Sequence, residues 1–170
     1  MILKRIQIAV VFLMLITATA CTVGYSFTGA PITAKTISID FFPNKARLVN
    51  PSLSQVLTDG FRDRFVNQTK MDLVEGDADM HLEGEIIDYR TNPVAIQGNE
   101  TAALNRLTIT VKVRFTNNEP EKENDSFDQS FSGYEDYDAS QSFSAVEDQL
   151  VEIITERIIT DVFNKAVVNW

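Results

Sequence analysis

Apolar and polar residues alternate over residues 36–42. Ile37, Ile39 and Phe41 fall on one side, and Thr36, Ser38 and Asp40 on the other. A period of two predicts a strand with one buried face, ended by Pro43-Asn44. The period then changes. Leu53, Val56, Leu57, Phe61 and Phe65 recur at spacings of three and four, while Asp59, Arg62, Asp63 and Arg64 lie largely off that stripe. This predicts an amphipathic helix over residues 51–67, with Asn50 as N-cap and Pro51 at the first helical position. Gly60 costs such a helix ~1 kcal/mol relative to alanine, so it is expected to mark a close approach to another element.

Met80, Leu82, Gly84 and Ile86 alternate with His81, Glu83, Glu85 and Ile87 in a second strand. Asn92-Pro93 and Gly98-Asn99 punctuate a loop. The clearest alternation follows, with Leu107, Ile109, Val111, Val113 and Phe115 set against Thr108, Thr110, Lys112 and Arg114. Residues 117–125 read as a charged turn, and Phe127 and Phe131 as a fourth strand ending near Gly133. Ser144 and Glu147 have capping-box spacing. Val146, Leu150, Val151, Ile154, Ile158, Val162 and Phe163 then continue a second helix to about Lys165, with Val167, Val168 and Trp170 extending its contact. The order β-α-β-β-β-α, with one apolar face per element, predicts an α+β domain over residues 36–170. Its two helices pack on one face of a four-stranded sheet. The opposite face bears His81, Glu83, Glu85, Thr108, Thr110, Lys112 and Arg114, and must meet water or a polar partner.

The start of the chain has a different character. Lys4 and Arg5 precede a nearly unbroken apolar run over residues 6–16, and Thr17-Ala18-Thr19-Ala20 leads to the only cysteine, Cys21. A cationic end, a short apolar stretch and small residues form a secretory signal. The run is shorter than the roughly 20 residues of a membrane-spanning helix. Ala18-Thr19-Ala20-Cys21 resembles the lipobox of bacterial lipoproteins, although Ala18 stands where leucine is usual. Residues 1–20 are thus expected to be removed, and residues 21–35 to form a tether carrying N-acyl diacylglyceryl lipid, palmitate included, on Cys21. One acyl chain binds a membrane only marginally, whereas several hold it. Thr22 in place of aspartate after the cysteine argues, by analogy with lipoprotein sorting, for the outer membrane and its periplasmic side. A free cysteine that merely closes the signal is the alternative.

Composition narrows the chemistry. The chain holds 15 Lys+Arg against 24 Asp+Glu, a net charge of −9, and Lys4 and Arg5 leave with the signal. Nucleic acid, whose binding rests on clustered cations, is excluded as a partner. One cysteine and one histidine, His81, provide neither a nucleophile triad nor a zinc or other transition-metal set. Glu75/Asp77/Asp79 and Glu135/Asp136/Asp138 lack calcium-loop spacing and read as solvated loops, with weak divalent-ion binding as the alternative. No glycine-rich phosphate cradle is present. The chain is therefore read as a non-enzyme without cofactor. Arg106, Lys112 and Arg114 on the polar side of the third strand have two readings. They form cross-strand pairs with Glu83 and Glu85, or they bind a phosphorylated glycolipid such as lipopolysaccharide. Lys45 and Arg47 are a second cationic pair.

Several segments together resemble one family. These are Gly24-Tyr25-Ser26-Phe27 after the lipidated start, Ile39-Asp40-Phe41-Phe42, Asn50-Pro51-Ser52-Leu53, Ala78-Asp79 leading to Leu82-Glu83-Gly84-Glu85-Ile86, and Asn105-Arg106-Leu107-Thr108-Ile109. In that order they are similar to the lipopolysaccharide-assembly lipoproteins, LptE. The resemblance implies two helices on a four-stranded sheet and a binding role. Its members plug the lumen of the large outer-membrane barrel LptD and help it assemble and deliver lipopolysaccharide. Other periplasm-facing lipoproteins, such as a secretion pilot or a cell-wall synthase activator, are the alternative, followed by a periplasmic hydrolase.

Overall fold

A computed structural model describes residues 33–94, 103–120 and 122–168. The signal, Cys21, the tether before residue 33, Gly98-Asn99 and Trp170 lie outside the described residues. The elements are β1 (Thr36–Ile39), α1 (Leu53–Gln68), β2 (Asp72–Leu73), β3 (Met80–Val94), β4 (Leu104–Asn117), β5 (Phe127–Asp138) and α2 (Phe143–Phe163). A π-helical turn, Asn164–Val168, continues α2.

The sheet has five strands in the order β2-β1-β3-β4-β5, not the four expected. The additional strand, β2, is two residues long, too short to print a period. It lies parallel to β1, with Thr36 opposite Asp72 and Ile37 opposite Leu73. β1 is also parallel to β3, and β3, β4 and β5 form an antiparallel meander. The two helices pack against each other, α1 also meeting β1 and β2, and α2 also meeting β4 and β5. The α+β class and the helix pair therefore hold.

The core joins the apolar stripe of each helix to the inward side of the sheet. Phe42 meets Phe61 with ring centroids 5.0 Å apart, and Phe65 meets Phe163 at 5.1 Å. Gly60 is a close approach, as expected: a Cβ there would come 2.5 Å from Ile159 Cδ1 of α2. Gly84 is tighter still, because its Cβ would lie 2.2 Å from the Lys112 carbonyl oxygen and 2.6 Å from the Phe42 ring. The absent side chain lets Phe42 lie on the sheet.

Four local expectations are corrected. Phe41 is half-exposed at 53% and Phe42 is fully buried. β1 stops at Ile39, so the period of two does not carry to Phe41. The second strand runs well past Ile87 to Val94. A bulge between Ile86 and Asp88 leaves Ile87 exposed and brings Tyr89 inward, which reverses the alternation midway. Pro93 is tolerated in this strand because β1 pairs only with Met80–Leu82 at its beginning, leaving that stretch on an edge.

The fourth strand likewise continues beyond Gly133 to Asp138, so Glu135, Asp136 and Asp138 belong to a strand and not to a loop. Finally, the proposed capping box does not form. Ser142 is the N-cap of α2 without a side-chain cap bond. Glu147 Oε1 instead accepts hydrogen bonds from Asn50 Nδ2 (2.7 Å) and the Tyr89 hydroxyl (2.6 Å). Asn50 supplies the side-chain cap of α1, its Oδ1 accepting from the Ser52 and Leu53 N–H groups at 3.0 Å, although the helix begins at Leu53 with Ser52 at the N-cap position, two residues later than expected. One carboxylate thereby ties α2 to β3 and to the cap of α1. Burial, followed by the Glu147 hydrogen bond, raises the pKa of the Tyr89 phenol, so this hydroxyl remains a donor throughout the physiological range.

Candidate functional site

The sheet side away from the helices carries the polar residues that the alternation assigns to it. In an antiparallel pair, side chains at opposed positions meet, and the register decides which ones. Glu83 lies opposite Arg114 and Glu85 opposite Lys112 on β3 and β4. On the other flank of β4, Asp128 lies opposite Arg114, Ser130 opposite Lys112 and Asp136 opposite Arg106.

The cations are interleaved with acids. Arg106 donates from Nε and a terminal nitrogen to the two oxygens of Asp136, at 2.6 and 2.8 Å. Its guanidinium carbon stands 3.9 Å from the centre of the Tyr134 ring. This two-pronged pairing raises the Arg106 pKa further and holds the Asp136 carboxyl below its ordinary value. Arg114 bonds Asp128 through two nitrogens (3.2 and 3.1 Å) and Glu83 through a third (3.0 Å). The bonds to Asp128 first, then to Glu83, raise its pKa. Lys112 is held most loosely, with Nζ 3.6 Å from Asp128 Oδ1. A shallow depression lies between Glu83, Glu85, Lys112, Arg114 and Asp128, floored by Gly84.

The three cations singled out from sequence therefore share one face, as expected. Of the two cross-strand pairs, Glu83–Arg114 forms an ion pair, whereas Lys112 turns to Asp128 on β5. Sequence reasoning missed Asp128 and Tyr134, and it read Asp136 as part of a solvated loop. Their positions two apart from Ser130 and Ser132 were the available signal, and β5 obscured it by having almost no aliphatic residues on its inward side.

Other acids have structural partners. Asp79, counted in an acidic loop cluster, accepts hydrogen bonds from the N–H groups of Lys35 and Thr36 at 2.8 and 3.0 Å. Those two bonds hold its carboxyl below the usual range and fix the start of β1. Glu135 bonds Arg157 of α2 at 3.0 Å. Lys45 and Arg47 are exposed in the segment before α1. No helix among the described residues is long and apolar enough to cross a membrane.

Comparison with known proteins places this architecture. The chain is similar in structure to the protein CT253 of Chlamydia trachomatis, with 10% identity and a TM-score of 0.55 over 79% of this chain and 98% of that one. It is also similar to the protein XCC0632 of Xanthomonas campestris, with 12% identity and a TM-score of 0.50 over 83% of this chain and 90% of that one. At such identities the likeness shows the fold alone. No curated protein sequence matches the chain. The model of the LptE lipopolysaccharide-assembly family matches residues 34–166, the span from the start of β1 through the end of α2. The chain belongs to the LptE lipopolysaccharide-assembly family.

Proposed function

We propose that the protein is an outer-membrane lipoprotein, anchored through an acylated Cys21, that binds an LptD-type barrel as its plug and assembly factor in lipopolysaccharide transport. The family match across the whole folded domain is the observation that carries this reading. The outer face of the sheet supports it. A surface inside a water-lined barrel must be polar, yet not so charged that docking strands unpaired ions. Here Arg106 and Arg114 already hold acidic partners, so a lumen that meets them meets neutralised pairs. The protein acts through surfaces and catalyses no reaction.

Direct contact with lipopolysaccharide belongs to the same proposal, through Lys112, Arg114 and Arg106. A glycolipid phosphate would exchange with the carboxylates that these cations now hold. Lys112 is the readiest of them, since its ion pair is the longest of the three.

Depletion of the protein is expected to lower the amount of correctly assembled barrel, read as the heat-modifiable species on a gel. Barrel levels unchanged by depletion would contradict the plug role. Cys21→Ala is expected to move the protein from the membrane to the soluble fraction, and retention of this variant on membranes would contradict lipid anchoring.

A further inference from the structure

The chain has one histidine, and the fold brings it against two carboxylates that are not its neighbours in sequence. β3 presents His81 and Glu83 two residues apart on the outer face of the sheet. The residue that follows β1 presents Asp40 beside them, with the Asp40 N–H bonded to the Leu82 carbonyl at 3.0 Å. The potential ligand atoms of Asp40, His81 and Glu83 all lie within 4.8 Å of one another. His81 Nε2 stands 3.4 Å from Asp40 Oδ2. From these positions, and against the expectation that a single histidine provides no transition-metal set, we infer that Asp40, His81 and Glu83 form a binding site for a single divalent transition-metal ion of the zinc class.

Three observations carry this. The first is spacing. A tetrahedral ion about 2.1 Å from each donor keeps donors about 3.4 Å apart, and His81 and Asp40 are already 3.4 Å apart. The third donor, the Glu83 carboxylate, lies within 4.8 Å of the other two and must close to that spacing when the ion binds.

The second is availability. Apart from their mutual contact, the Asp40 and His81 side chains have no hydrogen-bond or ion-pair partner among the described residues. With its proton on Nδ1, His81 offers the Nε2 lone pair. Glu83 gives one oxygen to Arg114, which leaves the other free. Should Glu83 turn fully to the metal, Arg114 keeps both of its bonds to Asp128.

The third is donor chemistry. Two carboxylates and an imidazole suit zinc and its neighbours, whereas magnesium and calcium favour all-oxygen sets. Three protein ligands, two on β3 and one on the backbone-bonded residue after β1, leave the fourth position to water or to a donor from another molecule. The site shares Glu83 with the outer face described above, but it does not rest on the barrel-binding proposal.

Isothermal titration of zinc chloride into the full chain, purified in detergent without a histidine tag, tests the inference. One equivalent is expected to bind with micromolar affinity. The affinity should fall at least tenfold in His81→Ala and in Asp40→Asn, and stay unchanged in Glu85→Gln, which alters an acid on the same face outside the cluster. Thermal melting without metal should be nearly the same for all four proteins, and millimolar magnesium should not compete. Zinc binding of equal strength in wild type and His81→Ala would overturn the site, since it would mean diffuse attraction to an acidic surface. Absence of binding to the wild type would overturn it equally.

Discussion

Thr58 offers a test of how α1 is fastened to the sheet. It is fully buried in α1, and its hydroxyl does two things. It donates to the Ser54 carbonyl in its own helix at 2.7 Å and accepts the Phe42 N–H at 3.1 Å. Phe42 lies beyond the end of β1 and is itself fully buried, so its N–H has no route to water. Valine has nearly the same shape and leaves that donor unsatisfied, which costs about 1–3 kcal/mol.

Thr155 in α2 provides the control. It is also buried, but its hydroxyl only donates, to the Val151 and Glu152 carbonyls of its own helix. Losing such a back-bond leaves no orphan donor and costs about zero. Urea unfolding reads the difference. With a slope of about 2 kcal/mol per molar, Thr58→Val lowers the midpoint by about 0.5–1.5 M, and Thr155→Val leaves it nearly unmoved. Equal shifts in the two variants, with unchanged slopes, would refute the argument that the Phe42 N–H depends on Thr58.

Two further predictions address the sheet. Arg106 holds the Asp136 carboxyl below its ordinary value, so the pair stabilises the fold above the unfolded carboxylate range near pH 4. That contribution is lost as pH falls through the depressed folded value. Asp136→Asn should therefore lower the urea midpoint at pH 7, and the gap to wild type should close on acidification below pH 4; a pH-independent gap would argue against the ion pair. Gly84→Ala would drive a Cβ into the Lys112 carbonyl and the Phe42 ring, at about 1–3 kcal/mol for overpacking. A variant as stable as wild type would contradict that close approach.

The parts of the fold with sustained periods were readable in advance. β4 keeps strict alternation from Leu107 to Phe115, every inward residue fully buried, and both helices form where their stripes placed them, although Val56 of the α1 stripe is exposed and Thr58 is buried. The failures have local causes. The bulge at Ile87 shifted the period within β3, β2 is too short to have one, and β5 replaces aliphatic residues with Gln129, Gly133 and Glu135 on its inward side. Spacing along the chain shows only local partners and so points Glu147 to a helix cap, whereas Asn50 and Tyr89 reach it through tertiary packing.

The outer face was legible as a row of cations, because alternation assigns them a side. The acids that neutralise them, Asp128 and Asp136, come from a strand whose register only the fold reveals. The meeting of Asp40 with His81 depends on the parallel pairing of β1 with β3, which no sequence spacing encodes. Cys21 belongs to the leader reading and lies outside the described residues.

The central claim is that this domain works by binding a lipopolysaccharide-transport barrel. Mass-spectrometric identification of what co-purifies with the full-length lipoprotein from membranes in mild detergent tests it most directly. The account predicts an LptD-type barrel in near-equal amount. Recovery of a secretin or a cell-wall synthase in its place, or of the lipoprotein alone, would contradict it.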